Sequence, residues 1–430
     1  MPGQLTTTKP SLKFVVTSFL LGMILLHMLV MRMVWSQAMG GRPDYKIFYT
    51  AALILKRGWG RDLYDNRLQL QVQKEFPSWL GEGEGPLPYN HPPFEAALHV
   101  PLAYFSYLEA YAIWTGLNFL LLGWFVWFFR SQVPILAREF PSILFLSALG
   151  FFPLVFGLMQ GQDSTLLMVL YGLAFVALKS GREFRAGLLL GAGLFKFHLV
   201  LPFVFILLLR RRWTAVGGFA VSGALAALAS LALVGWKELL YYPRYVWEVN
   251  RHPPMRVIVP QNMANLRGLV TGWRWPHSAI PWLDGVVMIA SLALLVWAAW
   301  QWDPADRSDI RIWTCGFSIC VIATFLACYH GYNQDMSILY PPLLLLADQL
   351  LREGWREWQK RRVAFFIAAM FFSPVYLILT VHFQHENLFT FVLLFFVASL
   401  AAWTSAMRAG TMKGTEATAR LHPAIVNGVN

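Results

Sequence analysis

The chain has 430 residues, 57% of them hydrophobic and only 13% Asp, Glu, Lys or Arg, against roughly 25% charged residues in an ordinary globular domain. With a mean hydropathy of +0.50 and nineteen tryptophans, a soluble domain is excluded and a polytopic membrane protein is indicated, since Trp and Tyr gather at bilayer interfaces. The net charge of +12 does not point to nucleic acid, because the basic residues fall in short clusters between apolar runs, where membrane topology accounts for them.

The first apolar run, 14–34, follows Lys9 and Lys13. It is too long for the core of a signal peptide and reads as an uncleaved span with a cytoplasmic N-terminus. In the hydrophilic segment 35–92, Phe48, Ala51, Ala52 and Leu55 keep helical spacing, which predicts a helix lying on the outer membrane surface. Further runs of spanning or near-spanning length lie at 109–129, 141–158, 164–178, 214–234, 280–301, 312–328, 337–351, 363–380 and 388–407. Cys315, Cys320 and Cys328 all sit in one of them, a spacing that supports neither a disulfide framework nor a zinc site.

Two stretches, 93–105 and 186–209, are ambiguous by length, and the positive-inside rule settles them. The tail 408–430 and the basic clusters at 352–362, 302–311, 210–212, 179–185 and 130–138 are placed inside. The large loops 35–92 and 235–277, and the short ones around Gln162, His330 and His382, are then outside. The segment 186–209 must enter and leave by the same face. It reads as a broken helical hairpin whose arms reach about 15–20 Å and whose tip, Lys196-Phe197-His198, lies deep in the membrane. The segment 93–105 becomes a short helix at the outer interface or a partial descent. Twenty of the 35 Lys and Arg fall inside on this map and thirteen in the two outer loops, which predicts a surface for anionic head groups or a departing phosphate.

The candidate chemistry collects on the outer face. Asp44 follows Pro43 at the start of the expected surface helix, where it serves either as an N-cap or as a general base on a hydroxyl. Lys196 is an ionisable residue in the bilayer; its charge requires a structural partner such as Asp163, or an anionic ligand such as a lipid phosphate. His198 reads as a packing residue. Tyr329 to Asp335 is a polar turn without a basic residue, in which His330 could hydrogen-bond a phosphate or leaving group and Asn333 could contact substrate. Tyr89 to Pro93 reads as a helix start that leaves His91 unexplained, and in Gly161-Gln162-Asp163-Ser164 the Asp and Ser read as caps of the next helix. No Gly-rich phosphate loop, HExxH or paired CxxC occurs, so a nucleotide-driven pump and a zinc protease lack support. A secondary transporter or lipid flippase is the main rival class. Such folds show discontinuous helices at matching positions of two halves, and 186–209 has no evident counterpart.

The sequence resembles the family 87 glycosyltransferases, integral-membrane enzymes of the GT-C fold that include polyprenol-phosphate-mannose-dependent mannosyltransferases. The resemblance rests on Asp44 with Tyr49, Ala51, Ala52, Gly58 and Leu63-Tyr64-Asp65; on Tyr89 to Pro93 leading to Pro101-Leu102; on Gly161-Gln162; on Ala186-Gly187-Leu188 through Lys196 to Arg210; and on His330 before Tyr340-Pro341-Pro342. It implies an all-α bundle of about 11–12 transmembrane helices with external juxtamembrane helices. It also implies an inverting transfer of a hexose, mannose first, from a polyprenyl-phosphate sugar to a lipid-linked or glycan acceptor. Asp44 would be the base, with Lys196, His330 and an outer arginine such as Arg251 or Arg256 on the donor phosphate, and Tyr49, His91, Gln162 and Asn333 as substrate contacts. No cofactor is expected, a divalent metal stays open, and no nucleic-acid partner is implied. Asp163-Ser164 depart from the family's usual apolar residues after the Gly-Gln pair.

Overall fold

The computed structural model describes residues 10–77, 86–251, 259–276, 279–353 and 357–421, and among them every regular element is helical. Helix α1 (Pro10–Met39) leads into a cap of short helices, α2 (Tyr45–Lys56), α3 (Asn66–Gln73) and α4 (Pro93–His99). There follow α5 (Tyr107–Phe129), α6 (Pro134–Glu139), α7 (Pro141–Gly150), α8 (Phe152–Gln160), α9 (Ser164–Lys179), α10 (Glu183–Ala192) and α11 (Phe197–Leu209). Helix α12 (Trp213–Arg251) is broken at Gly235, and α13 (Leu266–Thr271), α14 (Ile280–Gln301), α15 (Ile310–Ala327), α16 (Tyr340–Glu353), α17 (Trp358–Phe371), α18 (Ser373–Leu377) and α19 (Phe389–Leu421) complete the chain.

Six of these, α1, α5, α12, α14, α15 and α19, are long and apolar enough to cross a membrane unaided. Three sharply broken pairs reach that length only together: α7 with α8, α10 with α11, and α17 with the segment from α18 to Phe383. Leu120, Leu228 and Ile289 on these long apolar helices each turn more than 60% of their surface outward, where lipid tails would solvate them. The protein is an all-α polytopic membrane protein. The shorter α9 and α16 take the remaining apolar positions expected from the sequence.

Two of the three breaks are made by proline, and the backbone groups these free are satisfied internally, as a bilayer requires. Pro153 has no N–H for the Leu149 carbonyl four residues back; His27 of α1 sits 2.9 Å from that oxygen through Nδ1 and 2.7 Å from Ser373 Oγ through Nε2. Pro374 likewise leaves the Met370 carbonyl unpaired, and the Tyr376 hydroxyl donates to it at 3.0 Å. One histidine thus ties α1 to the breaks of two other helices.

Helix α10 lies against the first half of α12 with almost no space between backbones. A Cβ on Gly187 would fall 1.8 Å from the Ala215 carbonyl oxygen, one on Gly218 2.1 Å from that of Phe184, and one on Gly191 2.5 Å from Ser222 Cβ. Small residues four apart permit this approach in membranes. The pairing of 184 with 218 and of 191 with 222 makes α10 and α12 run in the same direction, so α11 between them runs back. The ion pairs Arg212–Glu183, Arg307–Glu183 and Arg210–Asp303 gather the two ends of 183–212 at one end of the bundle. Lys196 stands at the other end of the excursion.

The expected surface helix is not one. Nine of the twelve residues of α2 are buried, because Tyr45, Ile47, Phe48, Ala51, Ala52 and Ile54 surround the helix instead of striping one side. It forms the core of the cap, packed on α3, α4 and the turn Val100–Tyr104. The stretch 93–105 forms α4 and that short turn and crosses nothing.

Replacing Gly187 by Leu should lower the melting temperature and monodisperse yield of the detergent-purified protein sharply. Gly217→Leu, one helical face away with open space around it, should leave both close to wild type.

Candidate functional site

Cap and bundle meet over a cleft of about 270 Å³, near the lower end of small-ligand pockets at roughly 300 Å³. Asp44, His91, Gln162, Lys196, His330 and Asp335 all face it. They come from five separate places in the chain, His330 and Asp335 sharing one turn.

Asp44 occupies the N-cap position of α2, yet its side chain makes no capping bond. Its Oδ2 instead accepts from Gln162 Nε2 at 2.9 Å, and its backbone N–H donates to Gln160 Oε1 at 3.2 Å. Gln162 follows Gly161, which ends α8 in the left-handed region (φ 62°). A Cβ there would lie 2.8 Å from Tyr45 Cβ, so the turn that aims Gln162 requires glycine.

The Gln162 amide is read from both ends. Its Nε2 serves Asp44, and its Oε1 accepts from Lys196 Nζ at 3.2 Å. Lys196 also donates to Asp335 Oδ1 at 2.8 Å and lies 3.2 Å from Asp163 Oδ1, while Asp335 Oδ2 accepts the Tyr332 N–H. A continuous chain therefore runs from Asp44 through Gln162 and Lys196 to two further carboxylates. The lysine has the structural partners the sequence offered, one of them Asp163, and its ammonium is saturated by three oxygens. Burial pushes the Asp44 carboxyl above its ordinary value, with the Gln162 hydrogen bond and the charges of Lys46 and Lys196 opposing it.

His330 is held on the opposite wall. Its Nε2 lies 2.5 Å from Asn250 Oδ1, and its loop is fixed by Ala264 N–H to Gly331 O and by Asn265 Nδ2 to Cys328 O. Burial first, then the nearby charge of Arg267, lowers its imidazole well below the usual range. Neutral, it offers a hydrogen bond to a ligand and no charge. Arg267 stacks 3.8 Å over the Tyr329 ring behind this wall.

His91 is placed by α3, whose Gln73 side chain pairs with both backbone groups of Leu87 and whose Gln69 accepts from Tyr89 N–H. Its Nδ1 lies 2.8 Å from Glu95 Oε2. Burial lowers the imidazole to about 4 and pushes Glu95 well above the usual carboxyl range. Burial would raise Asp163 too, but Lys196 first, with the Glu95 hydrogen bond and His91, overrides it and holds Asp163 below its ordinary value.

Two expected substrate contacts stand elsewhere. The Tyr49 hydroxyl donates to the Phe105 carbonyl at 2.7 Å within the cap core, and Asn333 is buried beside the cleft without facing it. Arg256 and the side chain of Arg251 lie outside the described residues. Asn250, Tyr332, Asp335 and Glu386 face the cleft without having been site candidates; only Asp335 carried a signal, as the carboxylate in the polar turn with His330.

Residues 89–328, more than half of the chain, match the sequence profile of glycosyltransferase family 87. The chain belongs to that family. No curated protein and no solved structure matches it. Family 87 membership makes the protein a membrane glycosyltransferase with a sugar donor and an acceptor as substrates, and takes the place of the transporter reading. The matched region contains His91, Gln162 and Lys196; Asp44 precedes it and His330 and Asp335 follow it, so the cleft closes only when the flanking segments fold back.

Lys196→Met should destabilise the protein by about 3–5 kcal/mol, because it leaves buried carboxylates unpaired. Adding Asp335→Asn should return part of that loss in a denaturation series; full additivity of the two changes would show that the pair is not coupled.

Proposed function

We propose that this family 87 glycosyltransferase transfers a hexose, with mannose the first candidate, from a polyprenyl-phosphate sugar to a lipid-linked or glycan acceptor, and that Asp44 is the general base. The observation that carries this reading is the Asp44 carboxylate itself: at the mouth of the cleft, released from capping its helix and aimed by an amide whose other end is anchored on Lys196. A base whose proton affinity is raised by burial is a better acceptor for a hydroxyl proton than an ordinary aspartate.

In this mechanism the acceptor hydroxyl hydrogen-bonds to the free oxygen of Asp44. As the hydroxyl oxygen attacks the anomeric carbon, its proton passes to Asp44 and the bond to the phosphate oxygen breaks on the opposite face, which inverts the configuration. The polyprenyl phosphate leaves with the electron pair. His330 and Asn250 supply hydrogen bonds on the far wall. Lys196 is a positioning residue: it holds Gln162 and lends positive potential to the cleft without being consumed by the phosphate. The outer arginines Arg251 and Arg256 remain candidates for direct phosphate contact.

The same reading places the cleft on the external face of the cell membrane with both termini cytoplasmic. It is supported by the gathering of Lys179, Arg210, Arg212 and Arg307 at the end of the bundle away from the cleft, as the positive-inside rule requires.

Asp44→Asn should keep membrane insertion and donor binding while lowering the release of polyprenyl phosphate by roughly 10²–10⁴-fold; near-wild-type release would remove Asp44 from the base role. Because Asp44 must be ionised to act and its proton affinity is raised, kcat/KM should climb with pH through a midpoint above the ordinary 3.8. An acid limb at or below that value would contradict the buried-base assignment.

A further inference from the structure

One cluster beside the cleft supplies no group that contacts substrate in the mechanism above, although its Asp163 also pairs with Lys196. Immediately behind the wall formed by His91 and Gln162, ligand atoms of His91, Glu95 and Asp163 lie within 4.8 Å of one another. His91 precedes α4, Glu95 is in its first turn, and Asp163 comes from the turn before α9, so the cluster joins cap to bundle. Glu95 and Asp163 are 1% and 2% exposed. Among the described residues, Glu95 Oε1 and Asp163 Oδ2 make no well-formed hydrogen bond, although buried carboxylate oxygens are almost always satisfied, and the two carboxyls lie close enough to bond each other only if one of them holds a proton. Asp163 has Lys196 at 3.2 Å as its ion pair, and that ammonium is shared with Asp335 and Gln162. Four carboxyls, of Asp44, Glu95, Asp163 and Asp335, stand here with the ammonium groups of Lys196 and Lys46 as the cations near them.

We propose that His91, Glu95 and Asp163 form a binding site for one divalent cation of the Zn²⁺ or Mn²⁺ class. One imidazole and two carboxylates are the donor set those ions take. Bonds of about 2.0–2.2 Å reach ligand atoms about 4 Å apart across the ion, so the observed spread closes with a shift below about 1 Å. Three protein ligands leave coordination positions for water. The ion fastens the start of α4 to the start of α9 and adds positive charge behind a cleft otherwise dominated by carboxyls. That this charge helps the cleft accept a phosphate rests on the donor reading above; the site itself does not.

The test uses the full-length protein purified in detergent, stripped with chelator, and incubated separately with Mn²⁺ and Zn²⁺ before gel filtration, with metal content read by mass spectrometry and affinity by calorimetry. One equivalent of metal per chain is expected, with a higher melting temperature than the stripped protein. Glu95→Gln and Asp163→Asn should each weaken binding by at least about tenfold, the effect reported for losing even an outer partner of a metal ligand. Asp44→Asn should bind metal like wild type while losing turnover, which separates failure of this site from failure of the base assignment. Sub-stoichiometric metal with both ions, or unchanged affinity in Glu95→Gln, would overturn the site and leave a carboxyl pair sharing a proton in its place.

Discussion

The Lys196 ammonium is the point on which the site depends. A charge buried at the tip of an apolar excursion is tolerated only when hydrogen-bonded counter-charges surround it, and Asp163, Asp335 and the Gln162 carbonyl do so. The lysine and its partners belong to three different elements: the break between α10 and α11, the α8–α9 turn, and the turn before α16. Satisfying one lysine therefore fixes the relative position of all three. The same bonds orient the Gln162 amide, and through it Asp44. If Asp44 is the base proposed above, a carboxylate aimed by a satisfied buried network is already held in place before the reaction.

The bundle reaches that arrangement by irregularity. Helices α7–α8, α10–α11 and α17–α18 are all broken, and a regular bundle of straight spans would leave no polar backbone near the midplane with which to build a site. The two proline breaks persist because each freed carbonyl finds a partner, His27 for Leu149 and Tyr376 for Met370. The excursion from Glu183 to Arg212 persists because glycine contacts let α10 and α12 lie side by side. The cap completes the enclosure. Its tyrosines pack on one another, with Tyr64 against Tyr242 and Tyr245, while hydroxyls such as those of Tyr64 and Tyr242 bond to the backbone at His91 and Asn90.

The excess of basic residues in the outer loops takes on a different meaning in this light. Arg57 pairs with Glu75, Arg244 with Glu248, Lys56 donates to the Ala103 carbonyl over the Tyr104 ring, and Arg267 lies on Tyr329. Four of the thirteen basic residues read from the sequence as a surface for anionic head groups are engaged in local contacts within the protein.

Composition and periodicity by themselves determined that the chain is helical and crosses a membrane, because twenty-residue apolar runs have no other stable fate in a bilayer. Motif order pointed to the family, and the charge of Lys196 in an apolar segment marked it as needing partners. The tertiary structure decided the rest. Whether Asp44 caps its helix or faces a cleft depends on Gln162, 118 residues away, and whether α2 lies on the membrane or inside a cap depends on α3 and α4 covering it; neither relation leaves a local periodicity to read. The same is true of Asp163, which looks like a helix cap in sequence and becomes a partner of Lys196, Glu95 and His91 only when three chain segments fold onto one point.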